Sequence, residues 1–255
     1  MFSRRFELIF SGVSEIDKGQ IMSGKTPLWL VPGVLCDASL WAHQTRHLAD
    51  VAEMTNVETT QDADIAAMVD RALETAPPRF TLASLSMGGY VALEFWRRVP
   101  ERITKLALLD TSARPDSETA KARRLELIDQ AEQGRFKGVT PRLMPTFVHP
   151  DRAEEPGLVE AITSMAEAVG REAFIRQQHA VMARVDSRPD LATIDVSTVV
   201  ICGREDAATP LSLSEEIAFG ISGARLCVIE ECGHMTAMER PHAVTALMRD
   251  WLLRD

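Results

Sequence analysis

Cysteine is scarce in this chain of 255 residues. The four cysteines are widely dispersed: Cys36, Cys202, Cys227 and Cys232. So few cysteines in a chain of this length exclude the dense disulfide framework of small secreted domains. No pair has the CxxC spacing of zinc-ribbon or thioredoxin-like sites. We therefore expect reduced thiols that mostly fill buried apolar space, in a cytoplasmic protein.

The sequence also lacks a long uninterrupted apolar run and an excess of positive charge. No stretch reaches the roughly 18 to 20 apolar residues of a membrane-spanning helix. Glu7 interrupts the only apolar patch near the N-terminus, which disfavours a signal peptide. The 28 Lys and Arg residues against 37 Asp and Glu residues give a formal net charge of -9. Because binding to nucleic acid requires a basic surface, we expect neither a nucleic acid nor a membrane as partner, and the oligomeric state stays open.

Short apolar runs alternate with longer amphipathic segments from residue 28 onward. The apolar runs predict strands at 28–31, 51–57, 80–83, 105–109, 198–202 and 225–229. Apolar spacings of three and four residues predict helices at 39–49, 62–76, 87–99, 211–219 and 242–253. This alternation is typical of βαβ units. We therefore expect an α/β fold with a mostly parallel central sheet and helices on both faces.

One interval interrupts this alternation. From 111 to 195 no convincing strand is found, and the segments with helical character are 117–133, 155–169 and 170–185. We expect one core built from residues 28–110 and 196–255, with an inserted helical cap at 111–195. Residues 1–27 are expected to form an N-terminal extension or an edge strand.

A turn of small residues between a buried strand and a helix carries the most informative motif. Segment 80–90 reads FTLASLSMGGY and places Ser86 at the corner. A serine on a sharp strand-to-helix turn projects its hydroxyl away from the sheet, and the turn needs small residues two positions away, here Ser84 and Gly88. Ser84 departs from the G-x-S-x-G form. Taken alone, the pattern fits a plain connecting turn equally well.

A nucleophilic serine requires a histidine to accept its proton and a carboxylate to orient that histidine. Asp206 follows the predicted strand at 198–202, and His234 follows the one at 225–229. Because ligands bind beyond the carboxyl ends of the strands in an open α/β sheet, we expect these residues to meet Ser86 there. Asp110 also follows a strand and is an alternative acid, as is Glu205; Asp206 is preferred.

In these motifs the chain from Leu28 to its C-terminus resembles the α/β-hydrolase family, whose triad runs in the order nucleophile, acid, histidine. The landmarks that carry the resemblance are Pro32-Gly33-Val34, the Ser86 elbow, Gly203-x-x-Asp206 and Gly233-His234. Within the family the chain looks most like small bacterial carboxylesterases and pimeloyl-carrier-protein methyl esterases, with enol-lactonases close behind.

The resemblance implies a role for each site residue. Ser86 would be the nucleophile, Asp206 the orienting carboxylate, and His234 the general base and then the general acid. The backbone N–H groups of Val34 and Met87 would form the oxyanion hole. The implied activity is that of a serine esterase, which cleaves a small carboxylic ester or lactone through an acyl-enzyme without a metal or organic cofactor.

Other functions share this arrangement and stay open. Carbon–carbon bond hydrolases and cofactor-free haloperoxidases use the same triad, and the same scaffold can serve as a non-catalytic ligand receptor. A serine at the elbow disfavours the chemistry of haloalkane dehalogenases and epoxide hydrolases, in which a carboxylate attacks.

Two further motif matches suggest unrelated functions. Residues 19–26 read GQIMSGKT and satisfy the P-loop pattern, but the predicted strand at 28–31 follows where a P-loop requires a helix. His43 and His47 lie four residues apart on a predicted helix, without an evident third metal ligand. We expect neither a phosphate site nor a metal site, and we interpret the two histidines as an exposed polar face.

Several side chains are candidates for lining the substrate pocket. Cys36 and Trp41 follow the first landmark turn, although core packing is at least as good an interpretation. His179 is a polar candidate from the cap, where a surface or core position is the favoured interpretation. The apolar candidates from the cap are Met144, Phe147 and Phe174.

Overall fold

The computed structural model describes residues 24–254, which fold around a parallel sheet. Within that range the sheet has six strands, Thr26–Val31 (β1), Ala52–Asn56 (β2), Phe80–Leu85 (β3), Ile103–Leu109 (β4), Ser197–Gly203 (β5) and Arg225–Ile229 (β6). Their spatial order is β2-β1-β3-β4-β5-β6, and every pairing is parallel. The α/β fold and all six predicted strands are confirmed.

The strands are apolar throughout because both faces of the sheet are covered. On β1, Leu28 and Leu30 belong to the core on one face, whereas Trp29 and Val31 belong to the core on the other. This alternation follows from the two-residue period of a strand.

The helices lie on both faces of the sheet, as predicted. They are Ala42–His47 (α1), Ile65–Leu73 (α2), Met87–Arg98 (α3), Glu118–Gln130 (α4), Met144–Phe147 (α5), Pro156–Ala183 (α6), Arg188–Leu191 (α7), Leu211–Gly220 (α8), Thr236–Glu239 (α9) and Pro241–Leu253 (α10). The segment expected at 39–49 begins instead as a 3₁₀ turn, Ala38–Trp41, before α1. Among residues 24–254, no helix has the length and apolar character to cross a lipid bilayer.

The chain between β4 and β5, residues 110–196, is entirely helical and irregular and is called the helical insertion below. The expected division of its long helical segment at residue 170 is confirmed. Gly170 has φ 79° and ψ 175°, so α6 consists of two helical segments that meet at this residue. Short α5 and α7 were not predicted, because four residues are too few to show a helical period.

The N-terminal end of the described chain leads directly into β1. Thr26 and Pro27 were expected in an extension or an edge strand but belong to β1, which lies between β2 and β3. No helix follows Thr26, so the C-terminal end of the P-loop pattern lacks the helix N-terminus on which phosphate binding depends. The remainder of that pattern and of the predicted extension, residues 1–23, lies outside the described residues.

The strand order creates a crevice at the carboxyl edge of the sheet. β1 lies between β2 and β3, so the connections that leave β1 and β3 turn towards opposite faces. Ligands in open α/β folds bind at such a switch point. Here the turn after β1 and the elbow after β3 lie side by side, with Val31 paired with Ser84.

Candidate active site

The backbone at Ser86 is strained and held by its surroundings. Ser86 has φ 58° and ψ −118° between the end of β3 and the start of α3. Such a conformation costs a non-glycine residue of order 1–3 kcal/mol and persists only where neighbouring contacts enforce it. The Ser86 N–H donates to the carbonyl of Leu109 at 3.0 Å, and its carbonyl accepts from the Thr111 hydroxyl at 2.7 Å. The Ser86 side chain makes no capping hydrogen bond to α3, so its hydroxyl is free for another partner.

The two small neighbours of Ser86 differ in how strictly the structure requires them. A Cβ at Gly88 would lie 2.2 Å from the carbonyl oxygen of Val31, which is backbone. Ser84 instead has room for a side chain, and its buried hydroxyl donates to the carbonyl of Ala107 at 3.1 Å. The departure from glycine at this position therefore leaves the elbow intact.

Replacing Gly88 with alanine is expected to lower the free energy of unfolding by about 3 kcal/mol, because the new methyl group overlaps backbone atoms of β1. Gly157 is the matched control. It lies in the first turn of α6 with no atom within 4 Å of a built Cβ, so Gly157→Ala should stabilise the protein by about 0.5 kcal/mol. Chemical denaturation of both variants checks this, and an equal effect of the two would contradict the packing described.

Three side chains from different strand ends meet in one hydrogen-bonded chain. His234 Nε2 lies 2.9 Å from Ser86 Oγ, and His234 Nδ1 lies 2.9 Å from Asp206 Oδ2. A carboxylate only accepts, so Nδ1 carries the proton and Nε2 is left to accept from the serine hydroxyl. Asp206 and His234 are each 4% exposed. This is the arrangement that serine nucleophiles require.

The Asp206 carboxylate is fully hydrogen bonded. Oδ1 accepts the N–H groups of Ala208 at 2.9 Å and Thr209 at 2.8 Å, while Oδ2 accepts the Thr209 hydroxyl at 2.7 Å in addition to the imidazole. Burial alone would raise the pKa of Asp206, but the charge of His234 and these hydrogen bonds hold it below its usual value. Asp206 is therefore ionised beside the histidine.

The carboxylate in turn sets the basicity of the histidine. Burial alone would lower the pKa of His234, but the negative charge of Asp206 and its hydrogen bond to the ring raise the pKa above the ordinary histidine value. A raised pKa makes the imidazole a stronger proton acceptor and stabilises the imidazolium that proton transfer produces.

The two alternative acids have other partners. Asp110 accepts the Gly203 N–H at 3.1 Å and the hydroxyl of Thr236. Burial, and then the charge of Asp206, raise the pKa of Asp110 well above its usual value. Glu205 accepts the N–H of Cys232 at 3.0 Å. Asp206, rather than either of these, is therefore the carboxylate that is hydrogen bonded to His234.

The backbone near Ser86 offers two donors. A Cβ on Gly33 would lie 3.2 Å from the Cβ of Ser86, so the turn after β1 packs directly against the serine. Met87 is the first residue of α3, where backbone N–H groups have no partner inside the helix. Among residues 24–254, neither the Val34 nor the Met87 N–H donates a hydrogen bond. Both N–H groups therefore lie near Ser86 without an acceptor.

A buried glutamate that the sequence analysis missed holds the histidine loop. Glu239 accepts the N–H of Gly233 at 3.1 Å and that of His149 at 3.0 Å. A Cβ at Gly233 would lie 2.5 Å from the carbonyl carbon of Val148, so the loop carrying His234 and the helical insertion touch through backbone. No local signal around Glu239 indicates this function, because its second partner lies 90 residues away.

The pocket candidates fall into different environments. The ring of Phe147 lies 6.3 Å from the imidazole of His234. Phe174 packs with Leu35 of the turn after β1. His179 is exposed on the surface. The other candidates are buried in the core on one face of the sheet: Cys36, Trp41 and Met144. The burial of Cys36 and Trp41 supports core packing rather than pocket lining.

The thiols are mostly buried, as expected. Burial raises the pKa of Cys36 and of Cys202 to about 12 in each case, so neither is a thiolate at neutral pH. Cys227 is only half-buried, contrary to the expectation that it fills a closed core.

The prediction that His43 and His47 form an exposed polar face is wrong for His43. Its ring lies 4.2 Å from that of His47 and 4.5 Å from that of His242, and its Nδ1 lies 2.8 Å from the hydroxyl of Thr245. Burial, and then the neighbouring His47 and His242, lower the pKa of His43. This residue therefore belongs to the contact between α1 and α10.

Within the described part of the chain, no group of three or more His, Cys, Asp or Glu residues is arranged to hold a metal ion.

The chain is similar to known proteins in sequence and in fold. The sequence model described as "Alpha/beta hydrolase family" matches residues 30–247. A pimeloyl-[acyl-carrier protein] methyl ester esterase from Neisseria meningitidis serogroup C is 26% identical over 211 residues, which is 80% of this chain and 78% of that relative.

Solved structures are similar over most of their length. A thermophilic esterase from Thermogutta terrifontis, with malate bound, superposes with a TM-score of 0.82 at 29% identity and 89% coverage of both chains. The enol-lactonase from Burkholderia xenovorans LB400 superposes with a TM-score of 0.79 at 23% identity, covering 91% of this chain and 94% of its own. At 23% identity, the similarity to the enol-lactonase supports the fold alone.

Proposed function

Because the chain belongs to the alpha/beta hydrolase family, as its motifs predicted, we propose that it is a serine hydrolase of small carboxylic esters or lactones. The observation that carries the proposal is the continuous hydrogen-bonded chain from Ser86 through His234 to Asp206, at the carboxyl edge of the sheet. The names of its esterase relatives support an ester as the substrate class.

The first half of the reaction forms an acyl-enzyme. The Ser86 hydroxyl attacks the carbonyl carbon while His234 Nε2 takes its proton, and Asp206 stabilises the resulting imidazolium. The tetrahedral oxyanion accepts hydrogen bonds from the Val34 and Met87 N–H groups. When the intermediate collapses, the bond to the leaving oxygen breaks and His234 returns the proton to the departing alcohol.

The second half releases the acid and restores the enzyme. A water molecule gives a proton to His234 Nε2 and attacks the acyl carbon. The oxyanion of this second tetrahedral intermediate accepts hydrogen bonds from the same two N–H groups. Collapse breaks the bond to Ser86 Oγ, which regains its proton from the imidazolium. The reaction consumes one ester and one water molecule and returns Ser86, His234 and Asp206 to their starting states, and we propose no metal or organic cofactor.

The helical insertion, residues 110–196, is proposed to act as the cap over the site that the sequence predicts at 111–195. Phe147 beside His234 and Phe174 beside Leu35 support this, because both insertion residues lie against active-site loops. A cytoplasmic location stays part of the proposal and is supported by the four free cysteines.

A panel of substrates tests the proposed reaction class. We expect the purified protein to hydrolyse p-nitrophenyl acetate or butyrate, with a rapid initial release of p-nitrophenol wherever deacylation limits turnover. Alkyl esters, lactones and a vinylogous diketone complete the panel. Turnover of the diketone alone would indicate a carbon–carbon bond hydrolase, and peroxide-dependent halogenation alone would indicate a haloperoxidase. Binding without any turnover would indicate a receptor. Each of these outcomes would contradict ester hydrolysis.

A further inference from the structure

The turn that follows β1 is strained at the residue after the proposed oxyanion donor. The Cys36 N–H donates to the carbonyl of Gly33 at 3.2 Å and closes a four-residue turn. Leu35 has φ 57°, a left-handed conformation that residues with a side chain rarely adopt. Val34 immediately precedes it, and Gly33 packs against Ser86. The geometry of this turn therefore determines where the Val34 N–H lies relative to the nucleophile.

One buried side chain of the helical insertion holds this turn from outside. The Leu35 N–H donates to Oε1 of Gln177 at 3.0 Å. Gln177 is fully buried on the second segment of α6, 142 positions away in sequence. The Leu35 side chain packs against the same insertion, beside Phe174. The strained residue is thus tied to the insertion by both its backbone and its side chain.

The amide of Gln177 is itself fixed in one orientation. Its Nε2 donates to the carbonyl of Thr59 at 3.2 Å, so its Oε1 is the atom that faces Leu35. The adjacent Arg176 donates from Nε to the carbonyl of Thr60 at 2.8 Å and anchors the same loop. With a carbonyl on one side and an N–H on the other, a reversed amide would satisfy neither partner.

We propose that Gln177 is a positioning residue for the oxyanion hole: it fixes the Gly33–Cys36 turn through the Leu35 N–H, and so aims the Val34 N–H at the developing oxyanion. The inference rests on the proposed function and adds a residue to it. Oxyanion contacts strengthen only as the transition state forms, so a displaced donor should affect kcat and leave ground-state binding unchanged.

Gln177→Leu keeps the approximate volume and removes both hydrogen bonds. We expect kcat for p-nitrophenyl butyrate to fall about 10²-fold while KM changes by less than about threefold. Affinity for a trifluoromethyl ketone, whose hemiketal oxyanion occupies the same hole, should fall by a similar factor. The Leu35 amide should exchange with deuterium at least about tenfold faster in the variant.

Gln178→Leu is the matched control. Gln178 is the next residue of α6 and also buried, but its Oε1 accepts from Arg124 at 2.8 Å, within the insertion. Arg124 keeps its ion pair with Asp116 when this bond is lost. We expect Gln178→Leu to leave kcat, KM and Leu35 exchange within about threefold of wild type.

The outcomes separate this inference from the proposed function. If wild type hydrolyses esters and Gln177→Leu matches it in kcat, ketone affinity and Leu35 exchange, the positioning role is overturned and the esterase proposal stands. A rise in KM as large as the fall in kcat would also overturn the positioning role. If wild type hydrolyses no ester, the proposed function fails, and the exchange of Leu35 alone decides whether Gln177 fixes the turn.

Discussion

Ser86→Ala is expected to lower kcat for ester hydrolysis by roughly 10⁶-fold, because the variant has no nucleophile to form the acyl-enzyme. The hydroxyl makes one side-chain hydrogen bond, to His234, and none that caps α3. Its removal should therefore leave the fold and the thermal unfolding midpoint nearly unchanged. Steady-state kinetics and circular dichroism on the same preparation measure both quantities.

Ser84→Ala is a control within the same elbow. Ser84 is buried and donates to the carbonyl of Ala107, so its loss should cost about 1 kcal/mol of stability. Because that hydroxyl points to β4 and has no contact with His234, we expect kcat to be retained. Wild-type turnover in Ser86→Ala, or equal losses in the two variants, would contradict the assignment of Ser86 as nucleophile.

Asp206→Asn is expected to lower kcat/KM by roughly 10⁴-fold at neutral pH. An asparagine presents an N–H group to His234 as readily as an oxygen, so the imidazole can adopt the tautomer whose Nε2 carries the proton. That tautomer cannot accept from Ser86. Initial rates at substrate concentrations well below KM measure the effect directly.

The same variant should change the pH profile in a defined direction. His234 acts as a base only when neutral, so kcat/KM of wild type rises with pH through the pKa of His234, which lies above the ordinary histidine value. The charge of Asp206 raises that pKa. Removing the charge lowers the pKa, and we expect the acidic limb of Asp206→Asn to move to lower pH while its plateau falls.

Two neighbouring acids provide the comparison. Glu205→Gln keeps an acceptor for the Cys232 N–H and should leave kcat/KM within about fivefold of wild type. Asp110→Asn removes the alternative acid, whose hydrogen bonds go to Gly203 and Thr236. A large loss in Asp110→Asn together with an unaffected Asp206→Asn would contradict the role of Asp206.

The parts of the fold that sequence could predict are those with a local signal. Each strand is a short apolar run, because both faces of the sheet are buried, and each long helix shows its period. Ser86, Asp206 and His234 could be predicted as site candidates for the same reason: each lies in the turn or loop that follows a strand, and parallel strands end at one edge.

The parts that sequence could not predict depend on contacts between distant residues. Gln177 and Glu239 are ordinary polar residues on helices, and their partners in the turn after β1 and the helical insertion lie 142 and 90 positions away. His43 was misplaced because α10, which supplies His242 and Thr245, lies nearly two hundred residues further along the chain. The left-handed conformation after β1 falls on Leu35, a residue type that gives no sequence signal for a positive φ.

Reaction with a fluorophosphonate tests the central claim most directly, because the reagent phosphonylates only a serine activated by a base. After trypsin digestion, we expect the added mass on the peptide of residues 80–97, with fragment ions that place it on Ser86 rather than Ser84. Ser86→Ala should take up no label, and Asp206→Asn should label far more slowly. A folded wild-type protein that takes up no label, or carries it on another serine, would contradict the account.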